Sequence, residues 1–177
     1  MATLPSPEYL IISSSLRPAS LSRLMAETVR DAYAKLGVSH QLVDLREFVL
    51  PLCDGDAAYG HAQVGPLSTL IGAARVIIVA TPIYNYDANA AVKNLVELTG
   101  DAWENKIVGF LCAAGGSSSY MSIMSLAGSL MLDFRCLIIP RFVYAKGDDF
   151  TGKTKPSEAL AGRIRELAET SLKIRNG

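Results

Sequence analysis

Neither charge is in excess in this chain: Lys+Arg and Asp+Glu both number 17 among 177 residues. Without a basic surplus no nucleic-acid partner is expected, and without a block of like charges no interaction tail. No apolar stretch reaches the roughly 20 residues that a bilayer-spanning helix needs, so no membrane insertion is expected. The opening Met-Ala-Thr-Leu-Pro-Ser-Pro-Glu has no basic n-region and no apolar h-region, and does not read as a secretory signal. Cysteine is scarce. Cys53, Cys112 and Cys136 are scattered with no ligand-type spacing, which argues against a metal knuckle or a disulfide framework and for reduced thiols in the cytoplasm. Cys112 and Cys136 fall in apolar runs and read as small buried hydrophobes. Neither Gly-x-Gly-x-x-Gly nor Gly-Lys-Ser/Thr occurs, so a dinucleotide or triphosphate loop lacks its usual signature.

What is present is regular alternation. The length suits one domain over residues 1–177, and half of the residues are hydrophobic against 19% charged. That is apolar enough to suggest a second buried surface, as in a homodimer or homotetramer. Short apolar runs at Tyr9–Ser13, Arg75–Thr81, Lys106–Ala114 and Cys136–Tyr144 read as buried strands, and the alternating Gln41–Leu45 as an edge strand. Between them the apolar residues fall at helical spacing: from Ser20 to a stop at Gly37, at 66–74, at 89–100 and at Tyr120–Leu132, with a last helix opened by Pro156-Ser157. Pro140 marks the fifth strand as an edge or a bulge. Residues 51–65 form a long turn-rich loop. Strand and helix alternate five times, which predicts an α/β three-layer sandwich with a five-stranded parallel sheet in the order 2-1-3-4-5.

Ligands in such a sheet bind at the carboxyl ends of the strands, where three unusual loops stand. The first, Ser13-Ser-Ser-Leu-Arg-Pro-Ala-Ser-Leu-Ser22, combines hydroxyls, one fixed cation at Arg17 and a helix start at Ser20. That suits a phosphate monoester; the plainer alternative is a capped helix behind a polar turn. The second, Thr81-Pro-Ile-Tyr-Asn-Tyr-Asp87, could frame a flat heteroaromatic ring, or be a proline turn with packed tyrosines. The third, Gly115-Gly-Ser-Ser-Ser119, lets backbone approach a ligand closely, or is simply a turn. One ligand matches all three at once: a phosphate at the first and a flat ring across the others, the shape of flavin mononucleotide (FMN).

These segments resemble those of the flavodoxin-like NAD(P)H-dependent FMN reductases. Ser14-Ser-Leu-Arg-Pro-Ala-Ser-Leu-Ser22 is similar to their Gly-Ser-x-Arg-x-x-Ser-x-Asn motif, and Thr81-Pro-Ile-Tyr-Asn-Tyr with Lys93-Asn94 to their Thr-Pro-Glu-Tyr-Asn-Tyr…Lys-Asn segment. Leu50–Asp54 resembles the loop after their second strand, and Gly115-Gly116 their glycine turn. The resemblance implies that Ser15, Arg17, Ser20 and Ser22 hold the FMN phosphate. It also implies that Pro82, Ile83, Tyr84, Asn85 and Tyr86 meet the isoalloxazine, with Gly115, Gly116 and Ser117 at its pyrimidine edge. The chain departs from the pattern at Ser14 (glycine usual), Ser22 (asparagine), Ile83 (glutamate), Asn89-Ala90 (Pro-Gly) and Ser117–Ser119 (glycines).

The implied activity passes hydride from NAD(P)H through FMN to a small-molecule acceptor: a quinone, free flavin or similar electrophile. It needs no side-chain acid, base or nucleophile. His61 and Tyr59 in the long loop are candidates to flank the ring, with plain exposure the alternative. The rival reading is a flavodoxin-type electron carrier, against which the neutral charge and Arg17 both stand.

Overall fold

The computed structural model describes residues 7–175; the first six residues of the opening segment lie outside them. Five segments line up in one parallel sheet, β1 (Tyr9–Ser13), β2 (His40–Asp44), β3 (Val76–Tyr84), β5 (Ile107–Ala114) and β6 (Leu137–Ile138), in the order β2-β1-β3-β5-β6. This is the expected order, with β2 at an edge. The sheet holds seven strands rather than five, for two reasons. The fifth strand is interrupted: β7 (Val143–Lys146) resumes beside β5 after a gap at 139–142. Pro140 brings no N–H to the ladder there, and Arg141 turns left-handed at φ 62°. In addition β3 runs past Thr81 to Tyr84 and folds back antiparallel onto β4 (Asp87–Ala88). A separate two-stranded ribbon, β8 (Phe150–Thr151) with β9 (Lys155–Pro156), precedes the last helix.

Burial on both faces explains the continuous apolar runs of the central strands. Leu10, Ile12, Ile77, Val79 and Phe110 pack under α2 (Val64–Ala73), α3 (Ala90–Thr99) and α4 (Met124–Phe134). Ile11, Val76, Ile78 and Leu111 pack under α1 (Leu21–Lys35) and α5 (Glu158–Lys173). A Cβ at Gly109, in the middle of β5, would stand 2.9 Å from Ile78 Cδ1 and 3.2 Å from Ile139 Cδ1. Any larger residue there would push those two isoleucine side chains aside in a packed core.

Caps set the helix ends that matter for the site. Ser20 caps α1, its hydroxyl accepting from Arg23 N at 3.3 Å. Gly37, at φ 68°, ends the same helix and donates to Ala34 O at 3.2 Å. The long loop at 51–65 is more ordered than its composition predicts. Asp54 Oδ1 accepts from Asp56 N and Ala58 N at 2.9 and 3.0 Å and nucleates a one-turn helix at Ala57–Gly60. The same bonds lower the pKa of the Asp54 carboxyl. Asn94 on α3 pins the start of the loop, accepting from Cys53 N at 2.9 Å and donating to Pro51 O at 2.8 Å. All three cysteines are free; Cys112 and Cys136 are buried, as expected.

Candidate functional site

The strand register brings the carboxyl ends of β1 and β2 level with the middle of β3: Ser13 lies opposite Asp44 on one side and Ala80 on the other. Above that level the first loop and the start of α1 form one wall of a cleft of about 330 Å³. Ser15, Arg17, Ser20 and Ser22 line it, together with Pro82, Ile83, Tyr84 and Gly115. Eight of the twelve expected residues therefore meet in one space. Ala19, Leu21, Ala113 and Ala114 line it too. Sequence reasoning did not single them out, and their only signal is adjacency to the motifs.

Three features make the first wall suited to an anion. Ser20 and Ser22 are buried and hydrogen-bonded to each other at 2.9 Å, so their oxygens are fixed at the helix start. The first-turn N–H groups of α1 have no acceptor further back in the helix, and they add the positive end of the helix dipole. Arg17 is exposed, and its guanidinium has no hydrogen bond or ion pair to any described residue. The neighbouring cations are committed. Arg23 and Arg46 both pair with the buried Asp44 carboxylate, Arg46 at 2.7 Å, and Arg23 also pairs with Glu27 at 2.9 Å. Those two acids raise the Arg23 pKa. Arg46 further donates to Pro18 O at 3.3 Å, which ties the loop to β2. Arg17 is thus the one guanidinium in the cleft lining, held above a scaffold that needs none of its charge.

The second wall is a tight hairpin. Tyr84 pairs with Asp87, and between them Asn85 and Tyr86 both take positive φ, 51° and 64°. Two left-handed central residues match the right-handed strand twist, and asparagine tolerates that conformation better than tyrosine does. Tyr84 and Tyr86 stand about half exposed, whereas Ile83 is buried. Asn85 and Tyr86 thus crown the turn rather than line the cleft.

A buried polar knot joins these walls. Ser14 Oγ donates to Asn89 Oδ1 at 2.8 Å, and Asn89 Nδ2 returns a bond to Ser14 O at the same distance. Thr81 Oγ1 reaches Asn89 Oδ1 at 3.1 Å. Two of the departures noted in the sequence, Ser14 and Asn89, are therefore partners in space. Their bonds lock the phosphate-type loop to the hairpin.

The third wall is the turn after β5. Gly115 and Gly116 have nothing within 4 Å of where a Cβ would stand, and neither takes positive φ. Protein packing does not demand glycine there; the bare backbone leaves open space instead. Gly116 and Ser117 lie in the exposed turn just beyond the cleft lining. Tyr144 on β7 fixes this turn by donating its hydroxyl to Gly116 O. Tyr59 lines a different cleft, between α3 and α4, and His61 is exposed. Among the described residues no group of His, Cys, Asp and Glu could hold a metal ion.

Comparison with known proteins shows the family and the fold. The model of the NADPH-dependent FMN reductase family matches residues 7–150. An NAD(P)H-dependent FAD/FMN reductase of Geobacillus thermodenitrificans is 28% identical over 131 residues, 73% of this chain and 69% of that protein. An NADPH azoreductase of a Bacillus species is 25% identical, over 79% of this chain and 77% of its own. In fold, the apo form of the NADH:FMN oxidoreductase EMOB superposes with a TM-score of 0.79 at 15% identity, covering 97% of this chain and 91% of the other. The chain belongs to the NADPH-dependent FMN reductase family.

Proposed function

We propose that the chain acts as one FMN-binding domain, a cytoplasmic oxidoreductase that takes reducing equivalents from NAD(P)H and delivers them to a small planar acceptor of the quinone, free-flavin or azo type. FMN, held in the cleft, would supply the hydride and electron chemistry that the side chains themselves lack. The observation that carries the proposal is the unpaired Arg17 guanidinium over the Ser20–Ser22 helix start, in the same cleft as the hairpin and the glycine turn.

Arg17, Ser15, Ser20, Ser22 and the first N–H groups of α1 bind the phosphate. Pro82, Ile83 and Tyr84 orient one side of the ring, Asn85 and Tyr86 shape the turn that carries them, and the turn at Gly115, Gly116 and Ser117 receives its polar edge. The open space at both glycines supports that close approach. The cleft lining contains no carboxylate, imidazole or thiol, so these side chains bind, orient and exclude water rather than transfer protons. Ile83 makes the floor beneath the hairpin apolar, which favours an uncharged aromatic acceptor over an ionic one.

The test is anaerobic mixing of the FMN-loaded protein with NADPH and with NADH, followed by a panel of quinones, free flavins and azo dyes. Bleaching of the flavin by at least one donor, and its return on adding an acceptor, is expected. Flavin that binds yet stays oxidised with both donors would leave an electron carrier instead.

A further inference from the structure

A second cleft, of about 270 Å³, opens beside the break in the fifth strand, lined by Tyr120, Arg141, Phe142, Tyr144, Arg163 and Glu166 among others. Its chemistry differs from that of the first. Tyr120 lies 5.0 Å from Phe142 with the rings 30° apart, and 5.5 Å from Tyr144, so three aromatic rings stand together at its mouth. Tyr120 remains 48% exposed despite those contacts. Arg141 is exposed, its backbone left-handed at φ 62°, and its guanidinium has no partner among the described residues. Arg163 by contrast is engaged, with Tyr144 O at 2.9 Å and Asp149 Oδ1 at 3.4 Å. An open aromatic face beside one uncommitted guanidinium matches a planar aromatic ring that carries a phosphate.

The position matters as much as the composition. Tyr144 belongs to this cleft, and its hydroxyl reaches Gly116 O in the turn beside the first cleft. The two spaces are thus one tyrosine side chain apart. The NAD(P)H donor must lay its nicotinamide on the ring site while its adenosine half extends away from it, and the second cleft stands next to that site.

We propose that this cleft holds the adenosine 2′-phosphate end of NADPH, with adenine on Tyr120 and Phe142 and the 2′-phosphate on Arg141. The proposal rests on the FMN reductase reading and extends it to the choice of donor. Glu166 and Thr170, also in the lining, offer an acceptor for the adenine amine or a ribose hydroxyl and a hydroxyl of their own. Because Asp149 offsets Arg163, the selection of NADPH over NADH falls on Arg141.

Titration calorimetry of the FMN-loaded protein with adenosine 2′,5′-bisphosphate tests it without turnover, with adenosine 5′-monophosphate as the control. The bisphosphate should bind at least about tenfold more tightly than the monophosphate, and Arg141→Ala and Tyr120→Ala should each weaken it about tenfold, the scale of one charged hydrogen bond or one stacked ring. FMN affinity should not change in either variant. In steady state Arg141→Ala should raise KM for NADPH, leave KM for NADH unchanged and leave kcat near wild type. If the wild type ignores the bisphosphate, binds it no better than the monophosphate, or binds it equally in both variants, the proposal is overturned. Those failures are distinct from a flavin that no donor bleaches, which would sink the functional proposal itself.

Discussion

Arg17 concentrates the anion chemistry of the first cleft because every other nearby guanidinium is already neutralised. On the proposed phosphate role, replacing it by alanine removes a charged hydrogen bond worth about 1.5–3 kcal/mol, so FMN should bind roughly 10- to 150-fold more weakly. Thermal stability of the protein without FMN should stay within a degree, because Arg17 is exposed and its side chain makes no hydrogen bond or ion pair to a described residue. Fluorescence titration of FMN and a melting curve check both halves. An unchanged dissociation constant would remove Arg17 from the site. The motif around Arg17 was legible in the sequence because hydroxyls, a cation and a helix start are contiguous. The pairing of Ser14 with Asn89 was not, since 75 residues separate them and each on its own looks only like a substitution. Asp44 is hidden for the same reason: one acid at the end of an edge strand gives no hint that Arg23, 21 residues earlier, turns toward it.

Strands and helices were legible where periodicity is strong and lost where backbone geometry overrides it. The buried runs of β1, β3 and β5 announce themselves, as does the amphipathic stripe of α1. The hairpin at Asn85-Tyr86 does not, because its left-handed turn lacks the glycine that normally signals one. The break in the fifth strand was visible only as Pro140; the left-handed Arg141 that completes it has no compositional mark. β5 yields a prediction of its own. Burial pushes the Cys112 thiol far above its ordinary value of 9.0, and Tyr33 under β1 is likewise raised from 10.0. Both groups stay neutral when folded and ionise when unfolded, so above pH 9.0 the unfolded chain binds fewer protons than the native one. Stability is therefore full below that pH and falls as pH rises, by up to about 1.4 kcal/mol per pH unit for each group. Urea midpoints should be flat from pH 7 to 8.5 and decline from pH 9 upward. Cys112→Ala should lower the midpoint at pH 7, because it leaves a cavity, yet reduce the alkaline slope. A slope unchanged by that substitution would assign the alkaline loss elsewhere.

The homo-oligomer expected from composition can be assigned to a surface that the fold leaves uncovered. The apolar excess in the composition suggested a second buried face, and the structure locates a candidate on α4. Leu126 and Leu130 point into the core, while Met124, Met131 and Leu132 are exposed on the same helix, Leu132 at 86%. Met121, just before it, is exposed as well, and no charge occurs on α4 until Asp133. Serines 125 and 129 and Asp133 occupy part of the exposed side, but three large apolar side chains on one exposed face suit a buried contact, and methionines adapt readily to a partner surface. We infer a homo-oligomer with this face at a two-fold contact, where each side chain counts twice. Removing two buried leucines from such a contact costs about 3 kcal/mol or more, before the burial of any charge. Leu132→Glu should therefore weaken association by a factor of about 100 or more. Sedimentation equilibrium should find at least twice the chain mass for the wild type and a single chain mass for the variant at the same micromolar concentration. Their circular dichroism spectra should coincide, since Leu132 contributes little to the core of its own chain. A wild type that sediments as a single chain, or a variant that keeps the oligomeric mass, would move the contact off α4.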